Sequence, residues 1–504
     1  MTAPRMRTRP PSVPIPSNPL LALFLPALRA YGLAYVSTTT PRLLNLLLYW
    51  YRKKSARQRV VSSIFAILKG SLALRRFPAF CGALVGGYGF LQISLRHLYD
   101  HLCIIVEGKN PRLRRWYRGR LAVPRFVAAL VSAWFSLQLL NRNKPSPVNE
   151  ATTIRRLESS QQDGSDAAVE AKTTTPLTPR DTEAPILLAG KTLDLTILAA
   201  SRALDTLITS LWRRSHSHYL PTTTSKAISN HASTFLFALS SGTIMWTWVY
   251  HPTRLPPTYN KWIASAADVD PRLIHLLREA HEGKMIYGQD TGHAHILQPM
   301  CRDYNWPLEW GDPGSTVPIP CDLVHMGTGS NCHYHAAVRF TRAFRFALAT
   351  NLPLQILVKA RKKPSLTAFR LACSEAIRSS AFLGAFVGLF YYGVCLSRTQ
   401  LGPKIFSHNT ITPQMWDSGL CIGTGCVLCG WSILIEAERR REELALFVMP
   451  RAVGTLLPRR YDARGFWKER VVFAVSMAVL FTVVEEDRGC VRGVLGRVLG
   501  GVLE

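Results

Sequence analysis

The stretch Ala381–Cys395, AFLGAFVGLFYYGVC, decides how this chain is read. It is apolar, and Gly384 and Gly388 stand four apart on one helical face. Apolar side chains give helices in lipid little reason to associate. Small residues at that spacing let two backbones come close, so packing supplies the attraction. The same pattern occurs earlier. Ala79, Phe80, Gly82, Ala83, Val85 and Gly86 match Ala381, Phe382, Gly384, Ala385, Val387 and Gly388 at a single offset. A second copy in register predicts a chain built twice from one membrane unit. The expected fold is all-α: a polytopic membrane helix bundle made of two tandem homologous halves.

Composition agrees. The 504 residues are 47% hydrophobic, and the mean hydropathy of +0.07 is high for a soluble protein with this much charge. The formal net charge is +29 and the pI about 10.1. The basic clusters flank apolar segments and no nucleic-acid-binding motif is present, so anionic lipid headgroups are the expected partner and nucleic acid is not. Some of the excess also holds topology, as flanking Lys and Arg do. The eleven cysteines are scattered, with Cys81, Cys395, Cys421, Cys426 and Cys429 in or beside apolar stretches. There they serve as small packing residues, and no secreted disulfide framework is visible. The N-terminus lacks a clean secretory signal: Pro10, Pro11, Pro14, Pro16 and Pro19 precede the first apolar run.

In chain order, residues 1–19 read as a disordered N-terminus. Residues 20–250 read as the first membrane repeat, with a Ser/Thr/Gln/Pro-rich disordered loop inserted at 141–184. Residues 251–334 read as an irregular connector with a Cys/His-rich motif, and 335–504 as the second repeat. Within the first repeat, Leu20–Tyr51 is expected as a helix, a kink at Pro41 and a short second helix. Basic collars follow at Arg52–Arg59 and Lys109–Arg120, with another at Lys359–Lys363. Six spans are clear: about Phe77–Leu95, Phe126–Leu140, Phe235–Tyr250, Ser380–Leu396, Gly419–Ile435 and Val471–Val484. Up to ten crossings are allowed. In the connector, Asp270 and Pro271 start a helix as cap and first residue, and Gly283 ends it.

Offsets test the duplication. The glycine spans are 302 positions apart, from Gly82 to Gly384. Leu195, Arg202, Ala203, Thr206 and Leu207 match Leu444, Arg451, Ala452, Thr455 and Leu456 at only 249 positions. The shortfall of 53 requires an insertion in the first half, where the disordered loop lies. An odd number of spans per half would make the repeats inverted, as in many transporters; an even number would make them parallel.

Candidate chemistry is sparse. Cys321, His325, Cys332 and His335 are close in sequence, with His333 and Cys301 nearby. Two thiolates and two imidazoles are a legitimate tetrahedral zinc set. The spacing C-x3-H-x6-C-x2-H is not that of a standard finger, so the expectation is a turn that docks on the bundle with its cysteines buried or disulfide-linked. His216 with His218, and His293 with His295, are expected to be surface histidines. Glu375, Arg378 and Glu436 lie at span ends, where ionisable groups invite a transport reading but snorkelling explains them more simply. No P-loop, dinucleotide fingerprint or nucleophile elbow occurs. No catalytic, cofactor-binding or metal-binding residues are assigned, and no enzyme is expected.

Several of these segments together resemble one family. Cys321, His325 and Ser330–Cys332, followed by a helix ending Asn351-Leu352-Pro353-Leu354, are similar to the cysteine-rich motif of the transmembrane protein 135 family. Ser432–Glu436 with Arg439 and Arg440, Leu255–Trp262 and Phe382–Val387 resemble further segments of it. In the animal members the cysteine motif opens the first half; here Leu255–Trp262 precedes Cys321, so the halves stand in swapped order, as in a fungal-type member. The resemblance implies a non-enzymatic multi-pass protein of peroxisomal or mitochondrial membranes, supporting lipid and fatty-acid metabolism, peroxisome function or mitochondrial dynamics. It is distantly similar to inner-membrane translocase subunits. A homo-oligomer or an organelle membrane protein is a possible partner. The alternative is a transporter or translocation channel with its path at the interface of the two repeats, where Gly86 and Gly388 would have to stay small.

Overall fold

Long apolar runs with small residues at helical spacing leave the backbone one way to satisfy itself in an apolar setting, and each forms a helix. The computed structural model describes residues 19–52, 57–107, 122–141, 188–190, 192–219, 222–360, 365–407, 409–459 and 461–503. The expected disordered N-terminus and the inserted loop, but for their last and first residues, lie outside these, as do the Lys109–Arg120 collar, Lys53 and Lys54 of the first collar and Arg361–Lys363 of the last.

In chain order the main helices are α1 (Pro19–Arg52), α2 (Arg57–Ser71), α3 (Phe77–Glu107), α4 (Ala122–Asn141), α5 (Leu193–Tyr219) and α6 (Thr222–Tyr250). The connector carries α7 (Pro257–Ala267), α8 (Pro271–His281), α9 (Ala294–Asp303) and α10 (Cys321–Val324). Then come α11 (Cys332–Ala360), α12 (Leu366–Cys395), the helical run α13 (Pro413–Ile435), α14 (Glu438–Leu456), α15 (Phe466–Glu486) and α16 (Gly493–Leu503). Among the described residues the only sheet is a two-residue antiparallel pair, Leu188 opposite Asp462 and Ala189 opposite Tyr461. The chain is an all-α helical bundle. Among the described residues, four helices are long and apolar enough to cross a membrane: Phe77–Tyr99, Ala122–Asn141, Leu366–Ile405 and Pro413–Ile435. It is an integral membrane protein.

Two of the six expected spans, Phe235–Tyr250 and Val471–Val484, are helical but sit in helices too polar to join those four. The reason is their position. Ser240, Ser241 and Thr247 of α6 are buried among neighbouring helices, as are Glu469, Ser476 and Thr482 of α15. Their polar residues thus face neighbouring helices, while apolar ones such as Leu239 and Val472 stay exposed. The short second helix expected after Pro41 is corrected: it is the continuation of α1, which runs through the proline. Hydroxyls of Ser37, Thr38 and Thr39 donate to the carbonyls of Ala34 and Tyr35 at 2.7–3.1 Å, holding the turn just before the missing N–H.

The chain divides into two compact units, Met1–Ser210 with Arg460–Glu504, and Leu211–Arg459. They do not follow the expected repeat boundaries. Helix α6, expected in the first repeat, belongs to the second unit, and α15, expected in the second, belongs to the first.

In the first unit α1 packs on α3, α3 on α4, and α15 on α4. A Cβ on Gly82 would meet Tyr31 at 3.4 Å, and one on Gly86 would meet Ala27 Cβ at 3.0 Å. Tyr31 stacks on Tyr35 at 6.4 Å, and Phe80 meets Phe473 of α15 at 5.9 Å.

In the second unit α11 packs on α12, α12 on α13, and α6 on both α13 and α14. A Cβ on Gly384 would meet the Phe340 carbonyl at 3.0 Å, and one on Gly388 would meet Phe340 Cβ at 3.2 Å. Phe340 stacks on Phe344 at 6.0 Å, and Phe382 meets Phe237 of α6 at 5.7 Å. The glycine faces thus point at protein in both units, covered by α1 in the first and by α11 in the second.

The connector is ordered. Helix α8 begins and ends where the sequence says: the Asp270 side chain accepts from the Arg272 N–H at 2.9 Å, Pro271 is its first residue, and Gly283 follows its end with φ +73°. Leu273, Leu276 and Ala280 bury its apolar stripe.

Candidate functional site: thiols and imidazole at the end of the glycine helix

The connector returns to the bundle through a tight reversal. Pro320 leads into the single turn α10, and the His325 N–H closes it on the Cys321 carbonyl at 2.7 Å. Met326, Gly327 and Gly329 then take left-handed backbone conformations (φ 51°, 80° and 85°), which turns the chain back on itself. The Asn331 side chain accepts from the N–H groups of His333 and Tyr334 at 3.0 and 3.2 Å, capping α11 with Cys332 as its first residue. Cys321 and Cys332 are thereby brought together from opposite sides of the reversal.

Ligand atoms of Cys321, His325 and Cys332 all lie within 4.8 Å of one another. His325 Nδ1 sits 2.6 Å from the Gly329 carbonyl. A carbonyl only accepts, so Nδ1 carries the proton and Nε2 presents its lone pair. That lone pair faces Cys395 Sγ at 3.2 Å. Cys395 is the last residue of α12, the glycine helix, and its thiol is also within hydrogen-bonding reach of Cys332. His325, Cys332 and Cys395 are buried and Cys321 is half-buried. Burial pushes the Cys321 thiol up while Arg398 pulls it the other way, and burial pushes the His325 imidazole down.

The fourth histidine or cysteine of the sequence motif, His335, stands outside this group. Its ring stacks on His325 at 4.3 Å and meets the edge of Tyr391 at 5.3 Å. Its Nδ1 faces the Thr328 hydroxyl at 2.5 Å. Burial, then His325, Arg339 and Arg342, lower its pKa to about 3, so it is a neutral packing ring at physiological pH. Cys301 is buried in the apolar core, and His333 lies beside Tyr392. The disulfide expectation is corrected: Cys321 and Cys332 are free thiols.

Sequence reasoning missed the fixture that holds this end of the helix. After Cys395 the chain makes a π turn, Leu396–Gln400, which turns Arg398 inward. Arg398 donates to both Asp417 oxygens at 2.6 and 2.9 Å, and to the Ile319 carbonyl of the connector at 2.8 Å. The Tyr287 hydroxyl donates to Asp417 at 2.5 Å. Both partners of the ion pair are almost wholly buried. The signal available in the sequence was an Arg and an Asp beside apolar spans.

The remaining candidates are structural. Glu375 pairs with Lys359 at 3.0 Å, Glu436 is buried beside Arg440 at 3.7 Å, and Arg378 is exposed. His293 and His295 are each held by their own turn, through Thr291 and the Gly292 carbonyl. The side chains of His216 and His218 lie outside the described residues. Gly86 and Gly388, which a transport path would need to keep small, are covered by Ala27 and Phe340.

A second feature of the same unit is an apolar cavity of about 360 Å³ between α6, α7, α12 and α14. Phe237, Ile244, Trp262, Phe382 and Phe386 line it, with Ser241 among its few polar groups. The Arg451 guanidinium lies over two lining rings, Phe447 at 3.7 Å and Tyr259 at 5.4 Å. No family model, no curated protein and no solved structure matches the chain.

Proposed function

We propose that this is a non-enzymatic multi-pass membrane protein of the transmembrane protein 135 type, residing in peroxisomal or mitochondrial membranes and supporting lipid handling there. The observation that carries the reading is the apolar cavity, with Arg451 stacked on two of its lining rings. Its lining suits an acyl chain, and a guanidinium over aromatic rings suits an anionic headgroup. Two units with matching helix contacts support descent from one duplicated module, with the closing helices α6 and α15 exchanged between the copies. The paired contacts Phe80–Phe473 and Phe382–Phe237 are what favour that exchange.

The test is lipid analysis of the purified chain. Ser241 faces the cavity, so Ser241→Trp fills it. We expect wild-type protein to co-purify with an anionic lipid, and Ser241→Trp and Arg451→Gln to lose most of it while keeping the same melting profile. Equal lipid in all three would overturn the reading. Fluorescent tagging against peroxisomal and mitochondrial markers tests the location, and signal confined to another membrane would reject it.

A further inference from the structure

We propose that Cys321, His325, Cys332 and Cys395 bind one zinc ion, forming a closed structural centre that fastens the connector to the end of the glycine helix. Three thiolates and one imidazole are an established structural zinc set. In a tetrahedron with Zn–S of about 2.3 Å and Zn–N of about 2.0 Å, donor atoms stand roughly 3.5–3.8 Å apart. Three of the donors, on Cys321, His325 and Cys332, already gather near that scale, within 4.8 Å of one another, and the fourth, Cys395 Sγ, stands outside that group but 3.2 Å from His325 Nε2.

Three further observations bear on a metal and not merely on packing. The imidazole tautomer is fixed by the Gly329 carbonyl, the arrangement by which metal-binding histidines are held. The four donors come from three separate elements, the α10 turn, the start of α11 and the end of α12, so one ion would cross-link all three. A zinc ion with three thiolates carries a net charge of −1. It would lie close to Arg398, whose charge acts on the Cys321 thiol, and at the N-terminus of the 29-residue helix α11. With four protein donors no position is left open for water, which makes the centre structural and not catalytic. The proposal is independent of the lipid reading, since the cavity and the cluster share no lining residue.

The full chain, expressed with zinc and purified in detergent without chelator, is assayed for metals by mass spectrometry. Wild type and His335→Gln should each hold one zinc per chain, and Cys395→Ser should fall to background. Since Cys395→Ser alone could misfold, Cys395→His is the second variant. It should keep the ion and, when cobalt replaces zinc, show weaker thiolate-to-cobalt absorption than wild type. Wild-type protein that neither carries zinc nor takes up added zinc would overturn the proposal. So would a Cys321–Cys332 disulfide in the alkylated protein, or loss of zinc in His335→Gln with retention in Cys395→Ser.

Discussion

The two glycine helices begin alike and end differently. Over Ala79–Gly86 and Ala381–Gly388 the same small residues meet a helix of their own unit, α1 in the first and α11 in the second. Farther along, the residue 302 positions before Cys395 is Ile93, which is 49% exposed, whereas Cys395 is 4% exposed. Among the described residues, only the second unit has a connector folded over that end. The packed stem is thus common to both units, while the thiols, the imidazole and the buried ion pair are confined to the unit that holds the connector. Close helix packing needs only small residues at fixed spacing. A polar cluster needs elements that enclose it, and one unit supplies them.

The sharpest way to break the comparison is through the buried charges. Asp417 depends on Arg398 in a site where both are almost fully enclosed. Arg398→Met would strand a buried carboxylate, at a cost of about 3–5 kcal/mol. In the first unit Glu485 pairs with Arg125 at 2.7 Å, but it is partly exposed and also accepts from Tyr88 at 2.6 Å and Gln92 at 2.9 Å. Arg125→Met should therefore cost only about 1 kcal/mol. Thermal unfolding in detergent reads both. Similar losses would mean the two ends are equally anchored. The double variant Arg398→Met/Asp417→Leu should recover most of the loss, because replacing both partners removes the stranded charge.

Next in size is the contact between α6 and α13. A Cβ on Gly430 would lie 2.5 Å from Ala238 Cα and 2.8 Å from Ala238 Cβ. Backbone cannot step aside as a side chain can, so Gly430→Ala should cost about 1–3 kcal/mol or force the helices apart. In the first unit the tightest comparable approach is Gly87 to the Ser132 hydroxyl at 2.6 Å. That hydroxyl donates to the Leu84 carbonyl at 2.7 Å and can rotate away, giving up one hydrogen bond. Gly87→Ala should cost nearer 1 kcal/mol. A Gly430→Ala protein that melts with wild type would show that α6 does not sit where the comparison puts it.

The helical stem was legible because its signal is periodic. Gly384, Gly388, Gly82 and Gly86 mark a face by spacing alone, and Asp270, Pro271 and Gly283 mark the ends of α8 by local chemistry. What was not legible is what depends on distant partners. Nothing in Phe235–Tyr250 says which unit it will join, since neighbours in sequence need not be neighbours in a bundle. Val471–Val484 of α15 read as a clear span; the first turn of that helix instead buries Glu469, which accepts from Thr192, Thr196 and Tyr461. At the cluster, three of four motif residues come together, yet the remaining thiol is Cys395, a helix hairpin away and indistinguishable in sequence from a packing cysteine. His335 matched the spacing, but α11 directs its ring onto His325 and Tyr391.

The smallest effect is the most discriminating, because it turns on sign. Alanine is favoured over glycine inside a helix by about 1 kcal/mol. At Gly82 the new methyl would meet Tyr31 at 3.4 Å, an ordinary contact, so Gly82→Ala should stabilise by about 0.5–1 kcal/mol. At Gly384 the same methyl would meet the Phe340 carbonyl at 3.0 Å and its ring at 3.1 and 3.2 Å. The carbonyl belongs to the backbone of α11, and the ring is held by its stack on Phe344. Overpacking of about 1–3 kcal/mol should outweigh the helix preference there, so Gly384→Ala should melt lower than wild type. The two substitutions occupy matched positions in matched helices, and their opposite signs would come from how closely α1 approaches the one and α11 the other. If both variants shift the melting temperature in the same direction, the second stem is not packed more tightly than the first.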